Sequence, residues 1–120
     1  MDTNELCEGI DPRVLLDMFR KVVEVDSPVG YYADIEPVLS RMVGEWGYEM
    51  TWDQKHTGYV RVPGVNAEKC VCVGAHLDTI GFVVRGFNED GTLRVRNLGG
   101  INWASVEGET VSIHCRDGRT

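Results

Sequence analysis

The chain has 120 residues, 42% of them hydrophobic, with 19 acidic against 12 basic side chains and a formal net charge of -7. This is enough apolar material for one modest core, and the lack of any basic stripe argues against capture by nucleic acid or an anionic membrane surface. No apolar run approaches the roughly 20 residues that span a bilayer, and the acidic start Met1-Asp2-Thr3-Asn4-Glu5 lacks the basic and apolar regions of a secretory signal, so the expected location is cytoplasmic.

The first predicted element is a helix opening at Asp11-Pro12. Aspartate can accept from orphan N–H groups there, and proline suits the first helical position because its missing N–H costs nothing. Val14, Leu15, Met18, Phe19, Val22 and Val23 then recur at helical spacing. Asp26-Ser27-Pro28-Val29-Gly30 breaks the pattern. A second helix carries Tyr31, Ile35, Val38, Leu39, Met42, Val43 and Trp46 on one side, with Pro37 leaving its start open and Gly47 as its stop.

After Gly47 the period changes. Short strands are expected at 48–52 and 59–62, ending at Pro63-Gly64. Residues 70–75, Cys-Val-Cys-Val-Gly-Ala, form a near-continuous apolar run that predicts a central strand buried on both faces, as in an open α/β sheet. Cys70 and Cys72 would be small apolar members of that strand. With Cys7 and Cys115 they form no C-x-x-C or zinc-finger pattern.

From Ile80 the grammar is that of short antiparallel strands at 82–87, 92–95 and 110–115. Asn88-Glu89-Asp90-Gly91 supplies a hairpin loop, and Leu98-Gly99-Gly100 a bend. Leu93 and Val95 alternate with Arg94 and Arg96, and Val111, Ile113 and Cys115 alternate with Thr110, Ser112 and His114, as in a half-exposed sheet or small barrel. The expected organisation is therefore α/β, with a helix-and-sheet unit over 1–79 and a β unit over 80–120. Arg116-Asp117-Gly118-Arg119-Thr120 reads as a hairpin turn whose second strand does not follow, so the fold is expected to stop midway.

The sharpest chemical feature is Gly74-Ala75-His76-Leu77-Asp78-Thr79-Ile80-Gly81, at the end of the expected central strand. Side-chain alternation puts His76 and Asp78 on one side, at the strand edge where open α/β sheets bind ligands. A neutral imidazole is a good zinc or cobalt ligand, and a neighbouring carboxylate orients it. H-x-D alone is more often the pattern of a satisfied polar pair with no ligand.

The longer text is more specific. Gly74 to Phe82, then Gly91-Thr92-Leu93 and Leu98-Gly99-Gly100-Ile101-Asn102-Trp103, resembles peptidase family M42, the glutamyl, deblocking and tetrahedral aminopeptidases. Ser105-Val106-Glu107-Gly108-Glu109 continues the resemblance, as do Ser27-Pro28-Val29-Gly30-Tyr31 and Arg116-Asp117-Gly118, so that it covers nearly the whole chain in order. It implies a two-metal enzyme (zinc or cobalt) that removes N-terminal residues from peptides, with His76 as a metal ligand and Asp78 as the catalytic-site carboxylate supporting it. It also implies that 1–79 is the start of the metallopeptidase domain, and that 80–120 holds the first strands of an inserted barrel-like domain that carries contacts of a homo-oligomer, from dimer to dodecamer. The family's bridging aspartate, its glutamate pair, a further acidic ligand and a last histidine would lie beyond Thr120. At most one metal ligand is then present here, against about three protein ligands per catalytic zinc, and the isolated chain is expected to hold metal weakly and to lack peptidase activity.

Glu107, Glu109, His56 and His114 are assigned no site role, the two histidines for want of ligand-like neighbours. Thr79 stands where many members of the family carry glutamate. Other readings remain open: a deacylase or carboxypeptidase sharing H-x-D, against which the Leu98-Gly99-Gly100 pattern argues, and a non-catalytic remnant or assembly module. A glycosidase would need two facing carboxylates, and nothing here suggests such a pair.

Overall fold

A computed structural model describes residues 9–120. The chain divides into two compact units, the first running to Thr79 and the second spanning Ile80–Thr120.

In the first unit, helix α1 spans Pro12–Val23. Asp11 caps it by accepting the Arg13 backbone N–H at 2.9 Å, and Pro12 occupies the first helical position. Arg20 and Lys21 sit in its last turn, where positive charge suits the helix dipole. Helix α2 spans Ile35–Glu45. Pro37 falls in its first turn, where the backbone N–H has no helical partner to lose, so the helix simply begins late. Gly47, at φ 81°, takes the left-handed conformation that ends it. Ile35, Met42 and Val43 are its buried side chains, and α2 packs on both α1 and strand β1.

Strands β1, Met50–Trp52, and β2, Gly58–Val60, form an antiparallel hairpin with Trp52 opposite Gly58. Both are shorter than the sequence suggests. A Cβ on Gly58 would collide with the Trp52 ring and the Met50 methyl, so glycine leaves that ring room against its partner strand.

The expected central strand is not formed. Residues 70–75 have no strand assignment and are exposed, Val71 at 88% and Val73 at 91%. A buried parallel strand needs a hydrogen-bonded neighbour, and among the described residues none runs beside this segment; the chain is held only beyond it, where Thr79 bridges to Pro28. Cys70, Cys72 and Cys115 are accordingly exposed free thiols rather than core residues, while Cys7 lies outside the described residues.

In the second unit, β3 (Gly81–Phe87) pairs antiparallel with β4 (Leu93–Leu98), which is longer than expected. The loop between them closes through Asn88 N–H to Thr92 O at 2.8 Å, with Gly91 at φ 84°. The register shifts between Val84 and Gly86, leaving Arg85 as an extra residue in a bulge. A short 3-10 turn, Trp103–Ser105, is capped by Asn102, and its Trp103 ring lies 5.6 Å from that of Phe82. Residues 110–115 do not form the expected strand: no segment among the described residues pairs with them, so their alternation has no sheet to join. The terminal turn does form, with Cys115 N–H donating to Arg119 O at 2.8 Å. The architecture is thus mixed helix and antiparallel strand, consistent with the α/β class. No helix of the described residues is long and apolar enough to cross a membrane.

Candidate functional site

Two backbone-anchored segments of the first unit bring the chemistry together. Ser27, only 2% exposed, donates its hydroxyl to Leu77 O at 2.8 Å, and its carbonyl accepts the Thr79 N–H at 2.9 Å. These bonds pin the residues around Asp78 although no strand holds them. On this pinned stretch His76 Nδ1 lies 3.3 Å from Asp78 Oδ1, with the imidazole side chain 85% exposed. The two residues singled out by the H-x-D spacing do meet, and Nε2 is the ring nitrogen that Asp78 does not engage.

His56, expected to lack ligand-like neighbours, has one. Its Nδ1 lies 2.6 Å from Glu36 Oε1 on α2, twenty positions away. Its ring also sits 4.9 Å from that of Tyr32. The turn before β2 presents it: Asp53 accepts the N–H groups of Lys55 at 2.8 Å and Thr57 at 2.9 Å, and the Tyr59 hydroxyl at 3.1 Å. Those bonds, led by that from Thr57, hold the Asp53 carboxyl below the usual carboxylate range. Within this turn His56 adopts φ 62°, a left-handed conformation that costs an L-residue about 1–2 kcal/mol. The turn composition of 53–58 is visible in the sequence, but the Glu36 partner is not, because only the packing of α2 beside the hairpin brings it near.

Both imidazole–carboxylate pairs open on one cleft of about 260 Å³. Its buried and half-buried apolar members are Ile35, Met50 and Trp52. Lys55, His56, Thr57 and the 75–78 segment are its exposed members. Glu107, Glu109 and His114 belong to the second unit, and His114 Nδ1 lies 3.4 Å from the Thr120 hydroxyl.

The donor set falls short of the metal site that H-x-D suggests. One exposed imidazole with a supporting carboxylate fits a single ligand and its orienting partner. It does not amount to a coordination sphere: among the described residues no three potential donors cluster to hold a metal ion.

Comparison with known proteins adds a separate line. A family model described as M42 glutamyl aminopeptidase matches residues 57–120, more than half of the chain. YhfE of Bacillus subtilis, a protein named as an aminopeptidase, is 26% identical over 107 residues, covering 89% of this chain and 31% of its own length. The glutamyl aminopeptidase of Lactococcus lactis subsp. cremoris is 29% identical over 106 residues, covering 88% of this chain and 30% of its own. The chain therefore spans less than a third of the length of the curated relatives it matches.

Proposed function

This chain belongs to the M42 glutamyl aminopeptidase family, and we propose that it serves a metal-dependent aminopeptidase that releases N-terminal residues from peptides. The observation that carries the reading is the contact of His76 with Asp78, 3.3 Å apart inside the segment matched by the family model. His76 would hold a divalent zinc or cobalt ion through Nε2, and Asp78 would fix the ring and raise its basicity. Two such ions supply Lewis-acid polarisation of the scissile carbonyl and a water of lowered pKa. Within this chain, the work is orientation: Ser27 anchors the backbone on either side of Asp78, and Asp78 orients the imidazole.

On the same reading the second unit is the opening of an inserted barrel-like domain used in homo-oligomer contacts. The 120 residues alone supply one ligand, hold metal weakly and do not hydrolyse peptides. The test compares this chain with the polypeptide translated from the entire reading frame that contains it. With zinc or cobalt present, the latter releases N-terminal residues from peptide amides, and His76→Ala lowers kcat/KM by more than the roughly 10–100-fold that loss of a supporting partner costs. The 120-residue chain gives no release. Undiminished turnover in His76→Ala removes the ligand assignment, and release only of C-terminal residues or acyl groups removes the aminopeptidase reading.

A further inference from the structure

Arg85, Arg94 and Arg96 lie outside the site described above and share one face of the β3–β4 hairpin. Side chains alternate along β4, so Arg94 and Arg96 project together. Val83 stands opposite Arg96, and Arg85, two residues further on, falls on the same side as the extra residue of the bulge, beside the Gly86–Arg94 pair. Phe82, Val84, Phe87, Leu93 and Val95 share the other face, where the Trp103 ring meets Phe82. Closing this hairpin into a barrel would turn that apolar face inward and leave the arginines outside. All three arginines are exposed, and no carboxylate among the described residues lies within ion-pair distance of any of them. Arg13 and Arg119, in contrast, are held by Asp11 at 2.9 Å and Asp117 at 2.7 Å. Asp90, in the adjoining loop, turns to the Thr92 hydroxyl at 2.7 Å instead. The Arg94 guanidinium is also seated: a Cβ added to Gly86 would lie 2.8 Å from its Nη2, so the side chain crosses the bare glycine toward β3. Residues 80–120 carry five arginines against five acidic side chains, so the formal charge of -7 belongs to 1–79 and the second unit as a body does not repel an anion.

We propose that this face docks an extended acidic segment of a partner polypeptide, with carboxylates at alternate positions set against Arg94 and Arg96 and a further one against Arg85. Residues two apart in any strand are separated by about 6.7 Å, so the arginine spacing on β4 repeats in an extended ligand. A guanidinium grips a carboxylate through two parallel N–H donors, which gives the contact direction as well as charge. Single-stranded nucleic acid is also anionic, but it binds through bases stacked on aromatic rings, and the rings of this hairpin share the opposite face. The inference does not rest on the aminopeptidase reading, because the docked segment needs no free N-terminus.

The test is titration of the 120-residue chain with the blocked peptide acetyl-Thr-Glu-Thr-Glu-Thr-Glu-Thr-amide at low salt, followed by NMR of the arginine Nε–H groups and by anisotropy of a fluorescent copy. The Arg85, Arg94 and Arg96 signals should shift together while those of Arg13 and Arg119 stay in place. The affinity should fall as salt is raised towards about 0.15 M. Arg94→Gln and Arg96→Gln should each weaken the peptide about threefold, the worth of one exposed ion pair, and about tenfold together. Gly86→Ala keeps every charge but displaces the Arg94 guanidinium, and should weaken the peptide about as much as Arg94→Gln. The Phe82 and Trp103 ring signals report that each variant keeps the hairpin. No binding, equal binding of a peptide with glutamine in place of glutamate, or unaltered affinity in the double variant or in Gly86→Ala overturns the proposal. So does tighter binding of an oligothymidylate, which would assign the face to nucleic acid. Self-association of the chain that the double variant abolishes would assign it to a second copy, and overturns the proposal as well.

Discussion

Residues 9–79 bury three apolar side chains, Ile35, Met42 and Val43, together with Ser27, whereas residues 80–120 bury none. In the first unit α2 has neighbours on two sides, α1 and β1, so its apolar side chains meet protein in both directions. In the second, β3 and β4 pair only with each other, with the Trp103 ring beside Phe82, and Phe82, Leu93, Leu98 and Ile101 are half-covered. An isolated two-stranded hairpin is marginal in water. The second unit therefore depends on its ladder and turn hydrogen bonds, and the first on burial. Both imidazole–carboxylate pairs belong to the unit that has a core, where supporting groups can hold a side chain in place.

The contrast is broken most directly at Ile35. Ile35→Ala, at a site 3% exposed, should cost about 2–4 kcal/mol in urea unfolding followed by far-ultraviolet circular dichroism. Val84→Ala in β3, at a site 42% exposed, should cost below about 1 kcal/mol. Similar losses would show that the two units are supported alike.

Ser27→Ala is the next in size. It removes the hydroxyl bond to Leu77 O while keeping the backbone bond to Thr79, so a loss of about 1–2 kcal/mol is expected. Hydrogen exchange at the Thr79 amide should quicken while that of Met42 is unchanged, and an unaltered Thr79 amide would show that the hydroxyl is not an anchor.

The smallest effect is one in which the units should agree. The Thr57 N–H holds the Asp53 carboxyl low in the first unit, and the Thr92 hydroxyl and N–H do the same to Asp90 in the second. A carboxyl whose folded pKa is depressed contributes stability above its unfolded pKa and loses it as pH falls through the folded value. Both turns should loosen together as the pH drops below the ordinary carboxylate range, read as faster exchange at the Thr57 and Thr92 amides. Asn in place of either aspartate should abolish the acid step in its own turn alone.

What could be read from the sequence was local. Asp11-Pro12 starts α1 because cap chemistry acts within one turn, and Gly47 ends α2 because a left-handed residue needs no distant partner. The 88–91 loop follows from turn residues, and the His76–Asp78 contact from two positions of separation. What failed needed neighbours. The run 70–75 has strand composition, but a strand exists only when another backbone lies beside it, and 110–115 fails for the same reason. Glu36–His56 went unread because helix packing, not spacing, makes that pair.

The Ser27–Leu77 bond joins residues fifty apart, whereas α1, α2 and the first hairpin are each built from near neighbours. Each doubling of a loop adds only about 0.6 kcal/mol to the cost of closing it, but that cost precedes any reward. This implies an order of assembly, in which helices and hairpin form first and the segment bearing His76 is fastened last. Pulse-labelled exchange would then show the Thr79 amide gaining protection after those of Met42 and Val43; simultaneous protection would refute it. The same order run backwards makes the histidine's anchorage the first thing a denaturant removes, so the chemistry would be lost while the helices still stand.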